Sequence, residues 1–194
     1  MKRARRLGAL AAALMVLTSC GGGEEVSGPA EPPSRTGADA SPTDEPTDDP
    51  TPTVEAAAGE VMTTESAYAR APEGWRTERQ LDGVLDSWVA NKRGTLHQIY
   101  LSDLGAVGSE DLEQLVRTDG LTGFEGRPRV SYDADLGGEA AFRAAGDGVV
   151  GPREEYGAIR GGVGVKLTFE FDESFSAGQR RAVVDAVLAS FRWS

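Results

Sequence analysis

Val163 to Phe171 reads VGVKLTFEF, and this stretch decides the fold class. Val163, Val165, Leu167, Phe169 and Phe171 fall on one face, with Gly164, Lys166, Thr168 and Glu170 on the other. A period of two sustained over nine residues predicts a strand with one buried and one wetter face. From Ser174 to Ser190 the period changes to that of a helix. Ser176 with Gln179 fits a capping box, and Val183, Val184, Val187, Leu188 and Phe191 share one stripe. Arg180, Arg181 and Asp185 face away from it. A strand that runs into an amphipathic helix predicts a sheet with a helix laid against it.

Working outward, a second helix is predicted over Ser109 to Thr118. Ser109 would be its cap, Glu110, Asp111 and Glu113 its acidic first turn, and Leu112, Leu115 and Val116 its buried side, with Asp119-Gly120 ending it. Weaker strands are expected at Val84–Ala90, Leu96–Ser102, Pro128–Ala134 and Glu139–Ala144, the last two joined by a turn at Asp135-Leu136-Gly137-Gly138. Gly146 to Gly162 holds six glycines in seventeen residues and reads as a long loop, either a binding loop or a connector. Strands outnumber helices and the turns are short. The expected class is α+β, an antiparallel sheet flanked by helices in an α-β-α sandwich.

The N-terminus has a different character. Lys2, Arg3, Arg5 and Arg6 precede an apolar run of eleven residues, Leu7 to Leu17, and no acid occurs before Glu24. A membrane span needs about 20 apolar residues, so this run fits the core of a signal peptide, residues 1–19. It ends in Leu17-Thr18-Ser19-Cys20, which resembles the bacterial lipobox. The resemblance implies that Cys20 carries a diacylglycerol thioether and becomes the mature N-terminus, anchoring the chain to the outer face of the cell membrane. Two acyl chains make such an anchor stable where one is marginal.

Residues 20–59 read as a disordered linker. Residues 21 to 58 hold seven of the ten prolines, nine acids, one base (Arg35) and no aromatic residue. Such a segment cannot bury enough apolar surface to offset chain entropy. Extended at about 3.1 Å per residue, it reaches on the order of 120 Å. All thirteen aromatic residues lie between Tyr68 and Trp193, which places the folded domain at 60–194. The formal charge is -11 for the whole chain and -15 without residues 1–19, so a nucleic acid is not an expected partner. One Cys and one His exclude an internal disulfide and leave little for a metal site.

Several motifs in the domain are similar to those of PsbP-like domains, including actinobacterial lipoproteins of the LpqN type. They are Ala71-Pro72-Glu73-Gly74-Trp75, the glycine turn GGEAAFRA at Gly137–Ala144, and the closing strand and helix that end in Val187-Leu188-Ala189-Ser190-Phe191-Arg192-Trp193. The resemblance implies an α-β-α sandwich with a non-enzymatic role in assembly or binding, and it carries over no catalytic residue. The excess of Arg (17) over Lys (3) suits a GC-rich bacterium.

Chemistry-bearing patterns are sparse. There is no Gly-x-Ser-x-Gly elbow. Asp133-Ala134-Asp135 opens like a calcium loop, but Ala144 stands where a bidentate Glu is needed. Gly161-Gly162-Val163-Gly164 precedes a strand instead of a helix, so it lacks the helix N-terminus of a phosphate loop. Glu154 and Glu155 are adjacent and should point apart. His97 could serve as a general base, but it is expected to be a strand histidine at the sheet margin. Trp88 is either core or an exposed anchor. Trp88, Tyr156 and Arg160 are the candidate partner or ligand surface. The expected function is a membrane-anchored envelope lipoprotein that binds a protein or wall component without catalysis or cofactor, the alternative being a lipid or glycolipid carrier.

Overall fold

The computed structural model describes residues 53–81, 85–119 and 121–194. The signal segment, Cys20 and the acidic run of the linker lie outside the described residues. Among the described residues, ten strands and two helices follow in the order β1 (Val61–Thr63), β2 (Ala67–Arg70), β3 (Arg76–Leu81), β4 (Asp86–Asn91), β5 (Gln98–Ala106), α1 (Leu112–Asp119), β6 (Arg129–Leu136), β7 (Glu139–Asp147), β8 (Pro152–Arg160), β9 (Val163–Glu170), α2 (Ala177–Ser190) and β10 (Arg192–Trp193). The domain is mostly antiparallel sheet with two helices. Seven strands form one sheet in the order β3-β4-β5-β9-β8-β7-β6, and β1-β2-β10 form a small second sheet.

β9 sits at the centre, paired with β5 on one side and β8 on the other. Its apolar row, Val165, Leu167, Phe169 and Phe171, packs with Val184, Val187 and Phe191 at α2 and with Met62, Ala67 and Ala69 of the small sheet in one buried cluster. Full burial of each large side chain contributes roughly 1.5–3 kcal/mol, so this layer supplies most of the domain's cohesion. The capping box is present. Ser176 Oγ accepts from Gln179 N at 3.3 Å, and Gln179 Oε1 accepts from Ser176 N at 2.8 Å.

The other helix uses the alternate residues of the strands. Leu115 of α1 joins Phe142, Ala144 and Ile159 in a second cluster, whereas Ala141 and Ala158 belong to the first. The helix starts later than its sequence suggests. Asp111 Oδ1, not Ser109, accepts the first free amides, from Glu113 at 2.8 Å and Gln114 at 3.3 Å. Ser109 Oγ holds Asp111 N instead. Both residues are good caps, and the apolar face beginning at Leu112 selects the nearer one.

Gly146 to Gly162 is not a loop. Its middle is β8, an inner strand between β7 and β9. The reason it escapes notice is its charge: Arg153, Glu154, Glu155 and Arg160 break any apolar alternation. Those charges are matched across the sheet. Arg153 pairs with both Glu155 and Glu170, and Lys166 lies 3.6 Å from the wholly buried Glu155. The Lys166–Thr168 side of β9 is therefore buried as well, not wet as its polarity implies. The Asp135–Gly138 turn forms as read, with Gly137 and Gly138 at φ 66° and 89° and Gly138 N donating to Asp135 Oδ1. Packing against α2 begins before residue 60, because Ala57 is buried and its amide donates to Ala186 O.

Candidate functional site

Tyr156 is the best placed of the predicted site residues. It lies on β8 between Arg143 of β7 and Leu167 of β9, and its ring packs edge-on against Phe169. The side chain is buried, but its hydroxyl reaches a cluster at the edge of a cleft. Arg143 Nε donates to Tyr156 Oη at 3.1 Å and to Glu154 Oε2 at 3.0 Å, while Arg143 Nη2 lies 2.9 Å from the same carboxylate. Burial pushes the Tyr156 phenol up, and the Glu154 charge adds to the shift against Arg143. Tyr156 thus stays a neutral donor to Glu154. Partial burial works against the Arg143 charge, but Glu154 and Tyr156 outweigh it and hold the guanidinium above its ordinary value.

The cleft has a volume of about 360 Å³ and is lined by Ser131, Asp133, Ala134, Asp135, Arg143, Tyr156, Arg181 and Leu188. Four elements meet there. β6 contributes its irregular stretch, where pairing with β7 shifts between Ser131 and Ala134. β7 and β8 contribute the Arg143–Tyr156 pair, and α2 contributes Arg181 and Leu188. A hydrogen bond from Ser131 holds the Asp133 carboxyl below its usual range. The site therefore offers fixed guanidinium donors, fixed carboxylate acceptors and a small apolar floor.

The other predicted residues do not join it. Trp88 shares a cross-strand row with Leu101, Leu167 and Tyr156. Three strand spacings, about 14 Å, separate it from Tyr156. It packs against the main core with its indole N–H buried and without a hydrogen-bond partner. Arg160 stands at the far end of β8, half exposed, 3.7 Å from Glu139 and over the ring of Trp193 at 6.0 Å. Conversely, Arg143, Asp133, Asp135 and Arg181 gather at Tyr156 although their sequence positions are scattered. The available signal was the i, i+2 spacing of Glu154 and Tyr156, with meaning only once β8 is recognised as a strand.

Asp172 and Ser174 flank His97. It precedes β5 and is wholly buried, with its ring against Phe175 at 3.8 Å and stacked on Trp75 at 6.2 Å. The composition matches a Ser-His-Asp triad, but the bonding does not. Asp172 N donates to Nδ1 at 3.1 Å, so Nδ1 carries no proton and the neutral ring has its hydrogen on Nε2. Nε2 then donates to Ser174 Oγ at 3.2 Å and cannot accept the hydroxyl proton. In this tautomer the group holds a turn together and does not activate a nucleophile.

No protein-family model and no curated protein matches the chain. Among solved structures, it is similar to cyanobacterial PsbP (CyanoP) from Synechocystis sp. PCC 6803, at 13% identity over 66% of this chain and 86% of that chain, with a TM-score of 0.48. It is also similar to a protein of Bacteroides thetaiotaomicron VPI-5482, at 10% identity over 66% of this chain and 45% of that one, with a TM-score of 0.43.

Proposed function

We propose that the chain is a lipid-anchored protein of the cell envelope whose folded domain binds a protein or wall component without catalysis, and that the Arg143–Tyr156 cleft is the binding site. The anchor and the outer-face location rest on the signal-like N-terminus and on Cys20. The domain is read as a PsbP-like α-β-α sandwich, on the motifs near Trp75, Gly137 and Phe191 and on the use of alternate strand residues by α1 and α2.

The observation that carries the binding reading is the mixed lining of the cleft. Arg143 and Arg181 stand beside Asp133 and Asp135, with only Ala134 and Leu188 as apolar contact. Such a lining suits a partner that both donates and accepts hydrogen bonds, as a polypeptide or a sugar polymer does, and suits an acyl chain poorly. The test is co-sedimentation of the purified mature chain with isolated cell walls and with membrane-free envelope proteins. Arg143→Ala should lower retention at least tenfold while the folding transition is kept. Equal retention of the variant would overturn the assignment of the site.

One observation favours the carrier reading. A pocket of about 290 Å³ lies beside α1, lined mainly by Leu85, Leu104, Ala106, Val107 and Leu115. This is near the lower end of small-molecule sites, so the ligand would be small or only partly enclosed. Native mass spectrometry of the protein purified without detergent decides between the two, since a carrier retains a stoichiometric lipid-sized adduct.

A further inference from the structure

The chain has one histidine, and that residue bridges two turns at one end of the sheet. His97 leads from the turn after β4 into β5. Both of its ring nitrogens are bonded to the turn between β9 and α2, Nδ1 by the amide of Asp172 and Nε2 by the hydroxyl of Ser174. The carboxylate of Asp172 closes the same junction from the other side. Its Oδ2 accepts from Leu96 N at 2.9 Å and its Oδ1 from Ser174 N at 2.9 Å, and Oδ1 lies 3.6 Å from His97 Nδ1.

We propose that the turn between β9 and α2 is an acid-operated latch, held at neutral pH by the Asp172 amide on His97 Nδ1 and released when that nitrogen takes a proton from solvent. The logic lies in the hydrogen-bond inventory. Nδ1 is an acceptor only while unprotonated, and a backbone N–H is a donor only. Protonation sets two N–H groups against each other at 3.1 Å. The nearest acceptor for the new proton is Asp172 Oδ1, already committed to Ser174 N, so pairing with the imidazolium draws the carboxylate off the turn that leads into the α2 cap. Nε2 keeps its hydrogen and its bond to Ser174 Oγ in both states.

Two charged groups act on the ring. Asp172 faces it from the turn and Lys92 from the turn after β4, while the packed neighbours Trp75, Phe171 and Phe175 carry none. Arg180 reaches the same turn through Phe175 O at 2.7 Å. Burial lowers the imidazole below its usual range, Asp172 opposes the shift and Lys92 reinforces it. The neutral ring therefore persists into mild acid before the latch opens. Glu173 of this turn and Arg180 of α2 also line a cleft with the β7–β8 turn, so opening alters a surface and not only the core.

The test is a pH titration of the mature chain by NMR, where the single imidazole gives one set of signals. The proposal expects the Nε2–H tautomer at neutral pH. Protonation should coincide with at least a tenfold loss of protection at the Asp172 and Ser174 amides and with a change in Trp75 emission, while the Leu167 and Phe169 amides keep theirs. Ser174→Ala should move the midpoint less than Asp172→Asn does, because the Nε2 bond it removes is present in both states and only strengthened by the charge. Asp172→Asn should move it to lower pH by removing the charge that favours the imidazolium. An Nδ1–H tautomer, a titration that leaves the Asp172 amide protected, or equal shifts from the two variants would overturn the proposal. If a variant does not fold, the wild-type exchange data decide alone.

Discussion

Gly157→Ala tests whether β8 is an inner strand, because a single methyl group there has nowhere to go. A Cβ at Gly157 would stand 2.2 Å from Phe142 Cε1 and 2.6 Å from Cζ. An unstrained carbon contact needs about 3.5 Å, so the ring must retreat by about 1.3 Å. Phe142 is wholly buried and packed in a cluster with Leu115, Ala144 and Ile159, leaving it little room to do so. Overpacking of this kind costs about 1–3 kcal/mol, and the reduced freedom of alanine in the unfolded chain returns about 0.4–1 kcal/mol. A net loss of about 1–2 kcal/mol follows. Urea denaturation of the purified chain should show a lower midpoint with an unchanged slope. Pairing the change with Phe142→Leu should give less than the sum of the two losses, with coupling of about 0.5 kcal/mol or more. Were residues 146–162 a surface loop, Gly157→Ala would stay within about 0.5 kcal/mol of wild type and the pair would add. That result would refute the placement of β8.

Three further outcomes follow from the same structure. Ser176→Ala removes half of the α2 capping box and should cost about 1 kcal/mol by thermal or urea unfolding. Glu155→Gln leaves Arg153 and Lys166 facing a neutral, wholly buried side chain, and should cost about 3 kcal/mol or more by the same assay. Stability should fall in two stages on acidification. The folded-state pKa of His97 is depressed, so the unfolded chain binds a proton first and stability declines as pH falls below about 6.5. Asp172 is held down to about 2 by hydrogen bonds from Ser174 and Leu96, so its contribution declines below the ordinary carboxylate range and is lost near pH 2. Unfolding midpoints measured between pH 8 and 2 check both stages, and Asp172→Asn should diminish the second, to which Glu60 and Asp133, also held below their usual range, contribute as well.

The sequence reveals those elements whose burial and polarity agree. β9 and α2 were legible because each carries a clean apolar stripe ending in a recognisable cap or turn. The β6–β7 hairpin was legible through Gly137-Gly138. β8 was not, since its buried charges are neutralised by Glu170 and Lys166 on a neighbouring strand, and no local pattern reports a partner that tertiary pairing supplies. β1, β2 and β10 are too short to show a period; β1 and β2 exist through the buried faces of Met62, Ala67 and Ala69, and β10 through its pairing with β2. The same limit hid the cleft. Tyr156 stood out as an aromatic among glycines, but Arg143 and Arg181 come to it only through strand pairing and the docking of α2. His97 was placed near the sheet margin, whereas its bonds to Asp172 and Ser174 span 75 and 77 residues.

The binding role of the cleft is tested most directly by site-specific photo-cross-linking in the native host, with the reactive residue at Arg181 and a control at Arg93. Both positions are exposed, but only Arg181 lines the cleft. The account predicts a discrete adduct with one envelope protein or wall fragment from position 181, lost in Arg143→Ala and absent from position 93. No adduct at 181, or the same adducts from both positions, would contradict it.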